Sequence, residues 1–594
     1  MTHTHWSPGW LALALLATCG LACAMPDAAA VGAALAADGR SISVTAPGWS
    51  GMQGGFGASI IAGGEAKQLV SSAGAALTVV GLVRNLTEET PYGTALVTET
   101  ALRFENEQVD LLLRLGRVPG VPGVLAQAAI RNGGQKSLEL VSLTALDLTI
   151  KADGLPVQWL ITGFHNPVSA VTALNELAQP LDAHEAGGFY HGSGKGFWFG
   201  PVGSPTAYVN ARFAPAADGR VAFNLTSEMS GARVDPGETR WGQQVVMLME
   251  PPDQALARWV EWVGKTHGAR TTKGALTGWN SWNFLKRKDP RGEALDVVAA
   301  VRESGGRLRP GVIEIEDMSP NGRDVLEAPW LPEVAQRVGG IGARFGLRLA
   351  FDPNPNPEVA GSPMEVGEIT ATVRRAVDSG FSYLKVSCEP AVKRAAGEKR
   401  SAFEIQRDTW AAIRQAAGEE TYLLYCGSTK RPERAVVGCV DASRIGPDAG
   451  RRMLPALIND LRPYGRLNGR WFAVDHDVYY LAVEVEGMLT TGGQRLCAQG
   501  CGQRRRQCLA GQPGGPPTRP AATRGSGNPA AAHASFVVLV AGGAGGGQSG
   551  VWGVALRGGF AHAAPAWTRR GTRPHRPRLA RRPGHRAGGH CHAQ

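Results

Sequence analysis

The sequence predicts a multidomain β plus α/β protein, in which an amino-terminal antiparallel β-sandwich precedes a (β/α)8 TIM barrel. Three observations lead to this fold class. The chain has 594 residues, more than one hydrophobic core normally serves. Residues 37–250 alternate apolar and polar side chains with a period of two. Residues 277–490 alternate strand-like with helix-like segments, which is typical of parallel βα units.

The sandwich is predicted from runs such as ALVTETALRFENEQVDLLLRLGRV and RVAFNLTSEMSG, which have turn residues between them. One polar and one apolar face per strand is typical of antiparallel sheets packed on a core. The first amphipathic helix is predicted over Pro251–His267, PPDQALARWVEWVGKTH, so residues 251–276 are assigned to a linker.

Seven strand candidates follow the linker, and polar residues stand at the carboxyl end of nearly every one. The candidates are LTGWNSW, VIEIEDM, LRLAFDP, YLKVSCEP, YLLYCGS, DASRIGPD and WFAVDHDVYY. The polar residues are Asn280, Glu316, Asp317, Asp352, Ser387, Glu389, Asp448, Asp475 and Asp477. A barrel builds its active site at this end of its strands. An open doubly wound sheet would need a glycine-rich phosphate turn after its first strand, which the sequence lacks. No eighth strand is recognised, so the predicted barrel is incomplete.

Residues 1–24 are expected to be a secretory signal peptide, and the protein is expected to be secreted or periplasmic. A short apolar run, Leu11–Ala17, precedes the small residues Ala22-Cys23-Ala24. The run is shorter than the roughly 20 residues that cross a bilayer. No other segment is a candidate membrane span.

The carboxyl-terminal tail, residues 491–594, follows neither pattern and is expected to be disordered. From Gly487 onward the chain has 15 Arg and no Asp, Glu or Lys; since the whole chain carries +11, the rest carries −4. Three origins compete: a basic arm for nucleic acid or lipid, a compact domain, and a reading-frame shift in GC-rich DNA, which fits the missing lysine best. No nucleic-acid partner is therefore expected.

The nine cysteines do not predict a disulfide scaffold or a metal site. Three of them, Cys388, Cys426 and Cys439, lie in the body of the chain, so they cannot all pair. The spacing of Cys497, Cys501 and Cys508 does not fit a zinc site.

Residues 277–490 resemble the catalytic barrel of α-galactosidases of glycoside hydrolase family thirty-six and, more distantly, family twenty-seven, the melibiase group. GWNSW at Gly278–Trp282 and ASRIGPD at Ala442–Asp448 are the most specific motifs. The preceding β-rich region is similar to that family's amino-terminal β-supersandwich. The resemblance spans residues 37–490 and implies an α-galactosidase-like hydrolase of α-linked galactosides or related α-glycosides. It implies an oligosaccharide or glycoside substrate and no metal or organic cofactor.

Carried over onto this chain, the resemblance implies Asp448 as the acid/base and Arg444 as a contact to sugar hydroxyls near it. Glu316 and Asp317 match the paired acids that hold galactose hydroxyls, although the family has two aspartates there and then a glycine, where this chain has Met318. Lys385 matches a lysine that reaches a sugar oxygen, and a lysine within a buried strand is costly without a partner. Trp279 is either pocket wall or core.

The strand that ends in Ser387 departs from the family at the nucleophile. The family has lysine, any residue, aspartate, whereas this chain has Lys385-Val386-Ser387. Three explanations are open. Glu389, whose side chain points to the same face, replaces the aspartate; or the enzyme inverts, with carboxylates about 6.5–9.5 Å apart rather than about 5–5.5 Å; or the protein binds sugar without catalysis.

Overall fold

The computed structural model describes sixteen stretches of the chain, all within the unit Met1–Gln548. They are residues 31–36, 39–71, 77–79, 84–152, 157–163, 170–173, 180–191, 196–216, 220–281, 289–316, 323–351, 365–388, 397–427, 432–446, 464–480 and 537–541.

Eighteen antiparallel strands form the first part of the described chain, as the period-two pattern predicts. They are β1 Gly32–Leu35, β2 Ile42–Ala46, β3 Trp49–Ala62, β4 Glu65–Val70, β5 Leu77–Val79, β6 Arg84–Thr90, β7 Gly93–Phe104, β8 Val109–Arg117, β9 Gly123–Asn132, β10 Leu138–Ala152, β11 Val157–Gly163, β12 Ala170–Ala173, β13 Leu181–His191, β14 Gly196–Val202, β15 Tyr208–Pro215, β16 Val221–Val234, β17 Thr239–Trp241 and β18 Gln244–Leu248.

The strands belong to two sheets that share β13. Its residues 181–184 pair with β15 in one sheet, and residues 187–190 pair with β14 in the other. Between these halves Glu185 adopts a φ of 70°, a left-handed conformation that is uncommon outside glycine. The core between the sheets includes Phe197 and Phe223, whose rings meet edge to face at 5.5 Å.

Helix α1, Pro252–Thr266, joins the sandwich to the second part of the chain. Trp259 on this helix donates a hydrogen bond to the Pro201 carbonyl at 2.9 Å and packs on Trp471 at 5.2 Å. A Cβ at Gly200 would collide with the Trp259 indole, so glycine is required there. One face of the helix is therefore buried against both halves.

The second part contains seven parallel strands, one for each strand predicted from the sequence. They are β19 Gly278–Asn280, β20 Val312–Glu316, β21 Arg344–Ala350, β22 Tyr383–Ser387, β23 Tyr422–Tyr425, β24 Ala442–Arg444 and β25 Ala473–Tyr480. The described helices are α2 Pro290–Glu303, α3 Arg323–Leu326, α4 Leu331–Gly339, α5 Val366–Asp378 and α6 Ala402–Ala417. An antiparallel β domain followed by a partial parallel barrel is thus confirmed.

An eighth strand, β26 Val537–Ala541, pairs antiparallel with β25. It comes from the apolar segment within the predicted tail. The predicted signal peptide, residues 1–24, and the remainder of the tail lie outside the described residues. Within the described part, no helix is long and apolar enough to cross a membrane.

Arg434 anchors the barrel half to the sandwich. It begins a 3-10 turn, Arg434–Val436, and its side chain is fully buried. Its guanidinium donates to Glu185 at 2.6 Å, to the Ala207 carbonyl at 2.6 Å and to Gln243 at 3.2 Å, and it lies 4.0 Å from the centroid of the Phe403 ring. The positive-φ residue of β13 is therefore held by an ion pair that crosses between the two halves.

His267, which caps the carboxyl end of α1, predicts a pH dependence of folding. Burial, with the charges of Arg434 and Arg407, lowers its pKa from 6.5 to about 2. The folded protein therefore keeps a neutral imidazole where the unfolded chain binds a proton. The contribution of His267 to the free energy of unfolding is fully present above pH 6.5. Below pH 6.5 this contribution falls by about 1.4 kcal/mol for each pH unit.

Urea unfolding of the wild type and His267→Asn, from about pH 6 to about pH 4, measures this contribution. The variant is expected to lose less stability per pH unit than the wild type. Equal slopes for the two proteins would contradict the assignment.

Candidate active site at the carboxyl ends of the barrel strands

The parallel strands present two different faces. Alternate residues such as Ile313, Ile315 and Leu347 join the core shared with the helices. The residues between them point to the other face, where Tyr383 and Tyr422 stack at 5.5 Å within a small apolar cluster. Toward the carboxyl ends, this second face carries charged residues instead. They are Glu314, Glu316, Arg348, Lys385, Arg444 and Asp475.

The GWNSW motif fixes the first strand against the second. A Cβ at Gly278 would collide with the Val312 carbonyl, so the close approach of β19 and β20 requires glycine. Asn280 then reaches Glu316, and the Ser281 hydroxyl accepts a hydrogen bond from the Glu316 amide at 2.8 Å. Trp279 is buried in the core shared with the helices. The motif thus positions the Glu316 carboxylate.

Glu316 lies at the centre of the charged cluster. Its Oε1 accepts from Asn280 Nδ2 at 2.9 Å and from Lys385 Nζ at 3.2 Å, while its Oε2 accepts from Arg348 Nη1 at 3.0 Å. The register brings these together, since Glu316, Arg348 and Lys385 are consecutive partners across β20, β21 and β22. The side chain of Glu316 is 2% exposed. Burial of this charge is offset by two cations and an amide.

Glu314 lies one step deeper on the same face and is fully buried. Its Oε1 is 4.0 Å from Lys385 Nζ, so the lysine stands between two carboxylates. Burial lowers the pKa of Arg348, but the nearby acidic groups, Glu316 and Glu314 among them, raise it. The pKa of Arg348 is therefore above its ordinary value. The acidic and basic side chains of the cluster are thus paired with one another.

Ser387, at the end of β22, is buried and donates its hydroxyl hydrogen to the backbone carbonyl of Cys426 at 2.5 Å. A carbonyl cannot take up a proton, so this hydrogen bond does not activate the serine as a nucleophile. The bond instead joins β22 to the residue that follows β23. The structure therefore gives Ser387 a structural contact.

Arg444, the last residue of β24, approaches Cys426 from the other side. Its Nη1 lies 3.6 Å from Cys426 Sγ, and its Nε donates to the Gly446 carbonyl at 2.7 Å. In register it faces Asp475 on β25. Burial, then the charges of Glu314 and Asp475, raises the pKa of Tyr383 well above its ordinary value. Acidic groups therefore act on the barrel face from both β20 and β25.

The structure brings Glu316, Lys385, Ser387 and Arg444 to one end of one sheet. The other predicted site residues, Asp317, Glu389 and Asp448, lie outside the described residues. Sequence reasoning missed three participants, Glu314, Arg348 and Cys426. The signal for Glu314 and Arg348 was the same as for Lys385, a charge within an apolar strand. Among the described residues, no group of three His, Cys, Asp or Glu side chains could hold a metal ion.

The chain, with a large antiparallel β domain followed by parallel strands, is similar in fold to solved GH36 alpha-galactosidases. The chain is similar to AgaA of Geobacillus stearothermophilus with a TM-score of 0.51 and 12% identity, over 76% of this chain and 71% of that one. The chain is similar to the galactosidase domain of AgaSK with a TM-score of 0.52 and 13% identity, over 74% of this chain and 69% of that one.

The chain is also similar to the alpha-galactosidase from Lactobacillus brevis with a TM-score of 0.52 and 11% identity, over 75% of this chain and 68% of that one. No known family model matches the sequence. At these identities, the likeness shows a GH36-like fold.

Glu316→Gln tests the charged cluster directly. The amide keeps the shape of the side chain but leaves Lys385 and Arg348 with less compensating charge. We expect the free energy of unfolding to fall by about 1.5–3 kcal/mol, as for loss of a hydrogen bond to a charged group. Urea unfolding measures it. Glu333→Gln, which breaks a half-exposed ion pair with Arg291, is the matched control and should leave the midpoint unchanged. A stable Glu316→Gln would show that the cluster does not need this charge.

Proposed function

We propose that this protein is an α-galactosidase-like glycoside hydrolase that acts on α-linked galactosides or related α-glycosides. The observation that carries the proposal is the convergence of Asn280, Glu316, Arg348, Lys385 and Arg444 on the carboxyl-terminal end of a GH36-like barrel. Active sites of such barrels are built at that end. AgaA variants have been solved with stachyose and with raffinose, so α-galactosyl oligosaccharides are the first substrates to try.

In this proposal Lys385 and Arg348 donate hydrogen bonds to sugar hydroxyls, and Glu316 holds both cations in place. Asp448 protonates the leaving oxygen, and the Arg444 guanidinium binds a hydroxyl beside it. Asp317 accepts from the sugar. The nucleophile is not Ser387, because its proton is donated to a carbonyl. We further propose that the protein is secreted or periplasmic, on the strength of residues 1–24.

Hydrolysis of para-nitrophenyl α-galactoside by the full-length chain tests the function, with the β-galactoside as the control for anomeric specificity. Asp448→Asn keeps the size of the side chain but cannot cycle a proton, so kcat/KM for raffinose, whose leaving oxygen is basic, should fall at least about hundredfold. Hydrolysis that persists unchanged in Asp448→Asn would remove residue 448 from the mechanism. A folded wild type without turnover would remove the hydrolase.

A second function, sugar binding without catalysis, is favoured by one specific observation. The Ser387 side chain is tied to Cys426 at the position where the resemblance implies a nucleophile. Calorimetric titration with raffinose distinguishes the two functions. Saturable binding by a wild type that releases no galactose supports the binding protein, whereas galactose release supports the hydrolase.

A further inference from the structure

Glu314 is a buried acid in a row of the barrel that otherwise holds a glycine and two tyrosines. In register it lies beside Gly346 on β21, which pairs with Tyr383 on β22, and Tyr383 pairs with Tyr422 on β23. The side chain of Glu314 is 0% exposed. Burying a carboxylate costs free energy that an apolar side chain would not cost. The stability of the fold therefore does not account for an acid at this position.

Gly346 leaves the space over β21 to the Tyr383 ring. A Cβ on Gly346 would lie 2.8 Å from Tyr383 Cδ1 and 3.2 Å from the Cα of Glu314, closer than carbon atoms normally approach. The ring, which stacks on Tyr422 at 5.5 Å, fills the level beside Glu314. The Glu314 carboxylate instead reaches the next row toward the carboxyl ends, where it meets Lys385.

Two carboxylates therefore act on one ammonium group. Lys385 Nζ lies 3.2 Å from Glu316 Oε1 and 4.0 Å from Glu314 Oε1. The first contact is a hydrogen bond, whereas the second is too long for one and acts through charge. The charge of Glu314 also helps to raise the pKa of Arg348, the second cation that Glu316 binds. Glu314 thus attracts both cations from the side of the amino-terminal strand ends.

We propose that Glu314 is a positioning residue of the sugar site: from the row beneath Glu316, it holds the Lys385 ammonium group in place for a sugar hydroxyl. This inference rests on the proposed function, in which Lys385 donates to the sugar. Glu314 itself does not touch the sugar or the reacting atoms. Removal of its charge should therefore weaken sugar binding without weakening the fold, whereas removal of a structural acid would do the opposite.

Glu314→Met tests this separation, because methionine has a similar volume and no charge. Calorimetric titration of the full-length chain with raffinose should show an affinity about threefold to tenfold lower, as for one hydrogen bond lost. Urea unfolding should show a midpoint equal to or above that of the wild type, because Glu316 still pairs with Lys385 and a buried charge is gone. Ile315→Met, on the opposite face of the same strand, is the matched control and should bind raffinose normally.

The route through Lys385 has its own test. In the Lys385→Met background the donor is already lost, so adding Glu314→Met should lower the affinity for raffinose no further. A further loss in that background would show that Glu314 does not act through Lys385, and would overturn the proposal. Glu314→Asp, which keeps the charge but draws it back by one methylene, should retain part of the affinity that Glu314→Met loses.

Failure of this inference is distinguishable from failure of the proposed function. A wild type that releases galactose, with a Glu314→Met variant that binds raffinose as tightly, overturns the positioning role and leaves the hydrolase standing. If Glu314→Met does not fold, the acid is structural and the proposal is overturned, unless a folded Glu314→Gln variant shows the expected loss of affinity. A folded wild type that neither binds raffinose nor releases galactose overturns both.

Discussion

Ser387→Asp is expected to raise hydrolysis of para-nitrophenyl α-galactoside at least about hundredfold over the wild type, because a built-in nucleophile is held at the reacting carbon. The new carboxylate would stand on the same strand face as Lys385, whose charge favours the ionised form. A retained anomeric configuration in the released galactose should accompany the gain.

The same change is expected to lower stability. The Cys426 carbonyl now accepts the Ser387 hydroxyl at 2.5 Å, and a carboxylate there offers it no hydrogen. We expect a loss of about 1–3 kcal/mol in the free energy of unfolding, as for a buried acceptor left without a donor. Steady-state kinetics and urea unfolding measure the two effects. A folded, sugar-binding Ser387→Asp variant no more active than the wild type would exclude this position as the nucleophile site.

Glu389→Gln, measured beside it, tests the other carboxylate. If Glu389 replaces the missing aspartate, its amide variant should lose the wild-type activity while Ser387→Asp adds little. Indifference to Glu389→Gln, together with a large gain from Ser387→Asp, would discard Glu389 as the replacement.

Arg434→Met is expected to cost about 3–5 kcal/mol of stability, the range for removing one partner of a buried ion pair. Glu185 would stay buried without its countercharge, and the Ala207 carbonyl and Gln243 would each lose a donor. Such a loss is a large share of the stability of a typical domain. Because the pair crosses between the two halves, both should be affected together.

Urea unfolding followed by tryptophan fluorescence measures the loss, since Trp259 packs between the halves. Arg466→Met, which breaks an exposed pair with Asp253, is the matched control and should change little. Combining Arg434→Met with Glu185→Met removes both charges and should recover part of the stability. A single variant as stable as the wild type would contradict the account of Arg434.

Much of the fold was predictable from the sequence because its signals are local. The period-two pattern of the sandwich and the seven barrel strands depend on neighbouring residues, and each of those strands is present. The crossing of β13 between sheets was not predictable, since Glu185 reads as an ordinary polar residue until Arg434, 249 positions away, is placed beside it. The same holds for Arg434, whose burial depends on contacts with residues far from it in the sequence.

The candidate site was predictable in its position but not in its pairing. Strand ends and the family pattern led to Glu316 and Lys385, which do meet at 3.2 Å, and to Arg444, which ends β24 in the same sheet. The sequence did not show that Arg348 neutralises Glu316, because that contact depends on the register of β20 and β21. Nor did it show that Ser387 is bonded to a neighbouring strand, which depends on where β23 ends.

The 3-10 turn at Arg434–Val436 has a consequence for protein engineering. A barrel expressed without the sandwich would expose the Arg434 guanidinium, because its partners Glu185, Ala207 and Gln243 belong to the sandwich. Conversely, grafting a foreign amino-terminal module onto this barrel requires that the donor supply an acid like Glu185, an amide like Gln243 and a carbonyl like that of Ala207. A chimera should therefore take residues 185, 207, 243 and 434 from the same parent protein.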